Sequence, residues 1–209
     1  MPVIALVGNK GGAGKTTLAI NLASGLQRRY STILLDTDPQ HSSLQWREIS
    51  GRDDLVKVVD AIDDVEGMVH QHRKDYDCVV IDCPPSVHSD ETWQALSTSD
   101  MVLLPILPSP LDLWATVHVE EELESARSVN PGVRALMVIN QLEPRTRLSR
   151  LMRDALAEID IPVAETEIRR RVAYRNAMLR GLSVLDTGYS AADAAEEIEQ
   201  LAKEVVRLS

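Results

Sequence analysis

Gly8-Asn9-Lys10-Gly11-Gly12-Ala13-Gly14-Lys15-Thr16-Thr17 follows directly on the apolar run Val3-Ile4-Ala5-Leu6-Val7. An apolar strand, a glycine-rich turn and a Lys-Thr pair opening a helix are the context that a phosphate-binding loop requires. Glycines let successive backbone N–H groups curl around an anion with no Cβ in the way. The helix that starts at Lys15 points its positive dipole end at the same anion. Gly11, Gly12, Ala13 and Gly14 form the expected cradle, with Thr16 and Thr17 in the first helical turn behind it. Lys15 is placed to reach the β- and γ-phosphates of a nucleotide, and the Thr16 hydroxyl to ligate Mg²⁺. One position departs from the simplest pattern: Asn9 stands where a glycine is usual, five residues before Gly14.

Working outward, apolar runs alternate with helix-like segments, which predicts βα units and a mostly parallel sheet flanked by helices. Strands are expected at Val3–Val7, Thr32–Leu35, Leu55–Val59, Cys78–Ile81, Met101–Ile106 and Arg134–Ile139, with a seventh at Ile161–Ala164 that Pro162 demotes to an edge. Helices are expected at Lys15–Arg28, Ser42–Glu48, Val65–Arg73, Ser89–Leu96, Thr116–Ser128, Ser149–Ile159, Val172–Leu179 and Ala191–Arg207. No repeat or linker breaks the pattern, so residues 1–209 read as one α/β domain. The core must be aliphatic, since the chain has no Phe and only 3% aromatic residues. Cys78 and Cys83 lack metal-ligand spacing and read as buried small hydrophobes in a reducing compartment. That disfavours an iron–sulfur relative of the nitrogenase-reductase kind. Neither a signal peptide nor an apolar run near membrane-spanning length is evident, so the expectation is a cytoplasmic protein.

Ligands of such sheets bind at the carboxyl ends of the strands, and two further motifs lie there. Leu34-Leu35-Asp36-Thr37-Asp38-Pro39-Gln40 places two carboxylates two residues apart. They repel unless a cation or a proton sits between them, although Asp and Pro also suit a plain turn before the next helix. Val79-Val80-Ile81-Asp82-Cys83-Pro84-Pro85 closes an apolar strand with an aspartate, which is costly to bury without a strong partner. The hydrated Mg²⁺ of a nucleotide supplies such a partner.

The string Lys-Gly-Gly-x-Gly-Lys-Thr-Thr from Lys10 to Thr17 resembles the deviant Walker A motif of the ParA/MinD family of ATPases. Asp36-Thr-Asp38-Pro-Gln resembles that family's Walker A′ motif, and Asp82-Cys-Pro-Pro its Walker B motif. The resemblance implies that Lys10 crosses to the ATP of a second copy, so that ATP binding assembles a sandwich homodimer. It further implies that Asp38 positions the attacking water and that Asp36, with Thr16 and Asp82, holds the Mg²⁺ shell. Asn140, at the end of the Ala135–Ile139 run, matches an asparagine that recognises adenine through an amide able to donate and accept. Pro105, Pro108 and Pro110 resemble the family's Pro-x-x-Pro-Ser loop and read as loop-shaping. No catalytic Glu follows Asp82, so hydrolysis is expected to be slow and partner-stimulated.

Members of this family differ in the surface they bind. The net charge of −10 argues against a uniformly basic nucleic-acid binder. Yet Arg145, Arg147, Arg150, Arg153, Arg169, Arg170, Arg171, Arg175 and Arg180 crowd one segment. Arg171-x-x-Tyr174-x-x-Ala177-x-x-x-Gly181-x-x-Val184 resembles the segment with which ParA members hold chromosomal DNA non-specifically, which would make the protein nucleoid-associated. Arg169, Arg170, Arg171 and Arg175 are the candidate DNA contacts, phosphate-directed and blind to sequence. A MinD-like membrane regulator is the alternative. Its basic amphipathic tail has no clear counterpart, because the last helix carries Glu196, Glu197, Glu199 and Glu204 beside Lys203 and Arg207 and would be repelled by anionic lipid. The expected function is therefore positioning or partition of a cargo such as a plasmid, a chromosome locus or a carboxysome, with an adaptor of ParB-like role stimulating hydrolysis. A metabolic P-loop kinase would need a substrate pocket that the sequence does not identify.

Overall fold

Alternation along the first strand explains the layering. In β1 (Val3–Leu6), Ile4 and Leu6 face one hydrophobic cluster, and Val3 and Ala5 face another on the opposite side of the sheet. Successive strand residues point to opposite faces, so an apolar run of this kind demands cover on both. The structure, a computed structural model, describes residues 2–144, 146, 151 and 154–209. Six parallel strands run in the order β3-β2-β4-β1-β5-β6, with β2 at Thr32–Asp36, β3 at Lys57–Asp60, β4 at Cys78–Asp82, β5 at Met101–Ile106 and β6 at Arg134–Ile139.

One face is covered by α1 (Lys15–Gln27), α2 (Ser42–Ser50), α6 (Val172–Met178) and α7 (Ala192–Leu208). The other face carries α3 (Val65–His72), α4 (Asp90–Thr98) and α5 (Pro110–Arg127). The packing is aliphatic, as the composition requires. Its largest side chain is Trp46 of α2, only 2% exposed, with Nε1 donating to the Leu182 carbonyl at 3.2 Å. Cys78 and Cys83 are buried and unpaired.

The expected elements recur with ends moved by one or two residues, as in β3, which starts at Lys57 rather than Leu55, and with three larger differences. Helix α5 starts at Pro110 rather than Thr116, since a proline in the first turn gives up no helical N–H bond. Pro105 stands inside β5 opposite Val138, and not in a loop, at a point beyond the last β1 pairing of Leu6 with Leu103. The seventh strand is reduced to isolated bridges, Met137 with Val163 and Leu142 with Arg169. Pro162 offers only its carbonyl, which accepts from Met137 N at 2.8 Å, and the pairing runs on irregularly through Ile168 N to Ile139 O and Arg170 N to Leu142 O. Of the helix expected over 149–159, residues 149, 150, 152 and 153 lie outside the described residues, as do Arg145, Arg147, Arg150 and Arg153, while 151 and 154–156 are helical.

Helix α7 packs Ile198, Leu201, Ala202 and Val205 onto α1, which makes it a core element. Glu204 belongs to this inner side rather than to the polar face. It is buried, and its two oxygens accept from the backbone N–H groups of Glu165 and Thr166 at 2.7 and 3.0 Å. Among the described residues no helix is long and apolar enough to cross a membrane.

Candidate functional site

The loop between β1 and α1 stands at the carboxyl end of the sheet. Gly12 and Gly14 have φ of +88° and +83°, a region that glycine enters without a steric penalty. Gly14 caps α1 with no side-chain bond, which leaves the first N–H groups of the helix turned toward the loop. Lys15 lies along the inside of the loop, 7% exposed, and its Nζ donates to the Lys10 carbonyl at 3.0 Å. Burial lowers the Lys15 pKa, against the pull of Asp82, Cys83 and Asp38. Lys10 and Thr16 are half-buried beside it.

Asp36 and Asp82 end neighbouring strands and are direct register partners. Both are fully buried. Asp36 is tied down on both oxygens, Oδ1 accepting from Asp38 N at 3.2 Å and Oδ2 from Leu44 N at 3.0 Å. Burial still raises its pKa. Asp82 Oδ2 accepts from Ser43 Oγ at 2.9 Å. Its Oδ1 is buried with no hydrogen-bond partner. Desolvation and the adjacent Asp36 push its pKa up to about 7, opposed by Ser43, Thr16 and Lys15. Thr37 fastens the two strand ends, its N–H and hydroxyl both donating to the Asp82 carbonyl at 3.1 and 2.9 Å. Asp38 is half-exposed and accepts from Gln40 N at 2.9 Å, a local turn contact that leaves its second oxygen available.

An orphaned carboxylate oxygen in a dry site facing a lysine and a threonine hydroxyl is the arrangement a hydrated divalent cation would satisfy. Hard cations take carboxylate, hydroxyl and water oxygens, and Thr16 and Asp82 supply that donor set. The residues present therefore fit Mg²⁺ with a nucleotide.

Asn140 sits at the end of β6, 5% exposed. Its Nδ2 donates to the Ala13 carbonyl at 2.7 Å and its Oδ1 accepts from Gln141 N at 3.0 Å. A primary amide has two donors and two lone pairs, so each end keeps capacity for a further partner. Ser43, Thr37 and Gln141 were not found by sequence reasoning. Ser43 looks like any helix-start serine, and only the fold sets it against Asp82.

The arginines divide. Arg171 is the scaffold member, its guanidinium bonded to Glu197 at 2.7 Å and Asp193 at 2.9 Å on α7 with a side chain 23% exposed. The spaced motif around it is a packing motif: Tyr174, Ala177 and Val184 are buried, and Gly181 (φ +62°) abuts the end of α2, where a Cβ would lie 2.4 Å from Ser50 N. Arg169, Arg170, Arg175 and Arg180 are exposed. Arg169 approaches Glu197 at 3.8 Å and Arg170 meets Glu143 at 2.6 Å, both surface pairs of small energetic weight. Two surface depressions, about 430 and 520 Å³ and sharing Arg28, Arg29 and Tyr30, lie at the opposite end of the sheet from the loop.

A parallel sheet whose first strand feeds a glycine-rich, lysine-bearing loop, with strand-end aspartates beside it, defines a P-loop nucleotide-binding protein. Within that class the chain belongs to the CobQ/CobB/MinD/ParA nucleotide-binding domain family, whose model matches residues 4–184. Over 207 residues it is 40% identical to maintenance of carboxysome distribution protein A of Halothiobacillus neapolitanus, covering 97% of this chain and 95% of that one. The apo McdA structure from Cyanthece shares the fold with a TM-score of 0.81 at 15% identity, covering 98% of this chain and 99% of that one. So does the septum site-determining protein MinD of Pyrococcus horikoshii, complexed with Mg-ADP, with a TM-score of 0.77 at 21% identity over 99% and 96% of the two chains.

Proposed function

We propose that the chain, acting as one domain from 1 to 209, is a Mg²⁺-dependent ATP hydrolase that dimerises on ATP, binds DNA non-specifically and positions a cargo. The observation that carries the catalytic part is the juxtaposition of the loop lysine with a buried aspartate oxygen that has no partner. The relative that distributes carboxysomes supports the positioning role, and the Mg-ADP complex of the MinD relative supports the cofactor.

In this reading Lys15 leaves its own loop carbonyl to meet the terminal phosphates. Thr16, Asp36 and Asp82 would hold the cation. Bound Mg²⁺ would supply positive charge that offsets the negative charge developing on the phosphates. Asp38, half-exposed above the site, orients the attacking water. Asn140 keeps a donor and an acceptor for adenine. Lys10 reaches the nucleotide of the second copy, and without a catalytic Glu turnover is slow until an adaptor of ParB-like role engages. DNA contacts fall to the exposed Arg169, Arg170 and Arg175, with Arg171 bracing the segment on α7.

The test is DNA retention with and without ATP. Wild type should pass from monomer to dimer with Mg-ATP but not with ADP, and only the dimer should hold plasmid DNA. Lys10→Ala should still bind ATP through Lys15 yet stay monomeric by light scattering; an equal dimer would remove the sandwich. Reversing Arg169, Arg170 and Arg175 to Glu should leave dimerisation intact and reduce the salt slope of DNA binding by about three per protomer. Unaltered retention by that variant, or preference of the wild-type ATP dimer for anionic vesicles, would turn the assignment toward a membrane regulator.

A further inference from the structure

We infer that Gln141 is a positioning residue for the phosphate loop, setting the peptide planes that aim loop N–H groups at bound phosphates. The inference rests on the phosphate-loop reading above and adds a residue outside the three nucleotide motifs. Strand β6 ends at Ile139, and Asn140 N still donates to Ile106 O at 2.8 Å. The backbone then turns left-handed at Gln141, with φ of +53°. Residues with a Cβ avoid that region, and one held there marks a position that the surroundings impose.

The turn gains a pair of amides over the loop. Gln141 Nε2 donates to the Gly12 carbonyl at 3.3 Å, and Asn140 Nδ2 donates to the Ala13 carbonyl at 2.7 Å. The two contacts are possible because Gly14 has no side chain. A Cβ there would stand 2.7 Å from Asn140 Nδ2 and 3.3 Å from Gln141 Nε2. Peptides are planar and trans, so a carbonyl and the following N–H point opposite ways. Fixing the Gly12 and Ala13 carbonyls toward the β6 turn therefore directs the Ala13 and Gly14 N–H groups away from it, into the loop. Gly12 and Gly14 are the residues with the least preference of their own, and without an outside hold those planes would be free to flip. Gln141 is suited to this by length, since its amide reaches a carbonyl that the shorter Asn140 amide leaves to it.

The full chain should be compared with Gln141→Glu, which keeps the shape but replaces the donor by an acceptor, and with Gln141→Gly, which removes the amide and relieves the left-handed turn. Affinities for ATP, ADP and adenosine and the melting temperature without ligand are the readouts. ATP and ADP should weaken about tenfold or more in both variants, the worth of a lost hydrogen bond that orients the site, while adenosine binding stays as in wild type. Gln141→Gly should melt at or above the wild-type temperature. Weaker phosphate binding in a chain that is no less stable cannot come from a merely structural role. Wild-type ATP affinity in both variants would overturn the inference, as would a loss that falls equally on adenosine. Failure of the wild-type chain to bind any nucleotide is a different result, which removes the phosphate-loop reading itself.

Discussion

Replacing Asp38 with alanine is expected to slow ATP hydrolysis by about 10²–10⁴-fold, the range for loss of a positioned group that handles the attacking water. ATP affinity should change by less than about threefold, since the loop and Lys15 bind the phosphates without it. The geometry separates these effects. Asp38 is half-exposed, and its carboxylate accepts from Gln40 N within a local turn, so little of the fold depends on that side chain. The ATP-bound dimer should therefore accumulate. Single-turnover phosphate release beside a binding titration distinguishes the outcomes, and a rate close to wild type would show that another group orients the water.

Asp82→Asn should act with opposite signs on two observables. In the ligand-free protein Asp82 is a desolvated acid beside Asp36, with its pKa pushed up to about 7. An acid whose folded pKa exceeds its unfolded one holds its proton more tightly in the native state. Stability is then fullest below the unfolded pKa, near 3.8, and is lost as pH rises toward 7. The amide cannot ionise, so Asp82→Asn should melt higher than wild type at pH 8 and show a flatter pH profile between 4 and 7. Its Mg²⁺-dependent ATP affinity should meanwhile fall about 10–100-fold, as for partners of a metal's outer shell. Thermal melts across pH, with and without Mg-ATP, check both. A destabilised ligand-free variant would show that Asp82 earns its burial through a structural contact instead.

Much of the site was legible because its residues are consecutive. Gly11 to Thr17, Asp36 to Asp38 and Asp82 each follow an apolar run, and period and turn chemistry place them together at one end of the sheet. What escaped depends on contacts between distant segments. Ser43 acquires meaning only when α2 folds back on Asp82, 39 residues away. Gln141 and Gly12 meet across 129 residues. Arg171 reads as surface charge in a run of three arginines, yet its neighbours Glu197 and Asp193 come from a helix whose orientation no local pattern gives. The seventh strand failed for a local reason. Ile161–Ala164 has the right composition, but Pro162 withholds an N–H and the pairing beside β6 breaks into single bridges.

Trp46 gives this arrangement an optical consequence. The chain has three tryptophans, four tyrosines and no Phe. Trp114 is 67% exposed and Trp93 37%, whereas Trp46 is sealed at 2%. Its emission is thus the one shielded from aqueous quenchers, and it can be read apart from the other two. It rides on the same short helix as Ser43, three residues along, with its indole N–H fixed to the Leu182 carbonyl. A rearrangement at Asp82 that displaces α2 through Ser43 would change the surroundings of that indole. The protein thereby carries an intrinsic fluorophore on the helix that supplies Ser43, so a displacement of that helix can be followed in the unlabelled molecule.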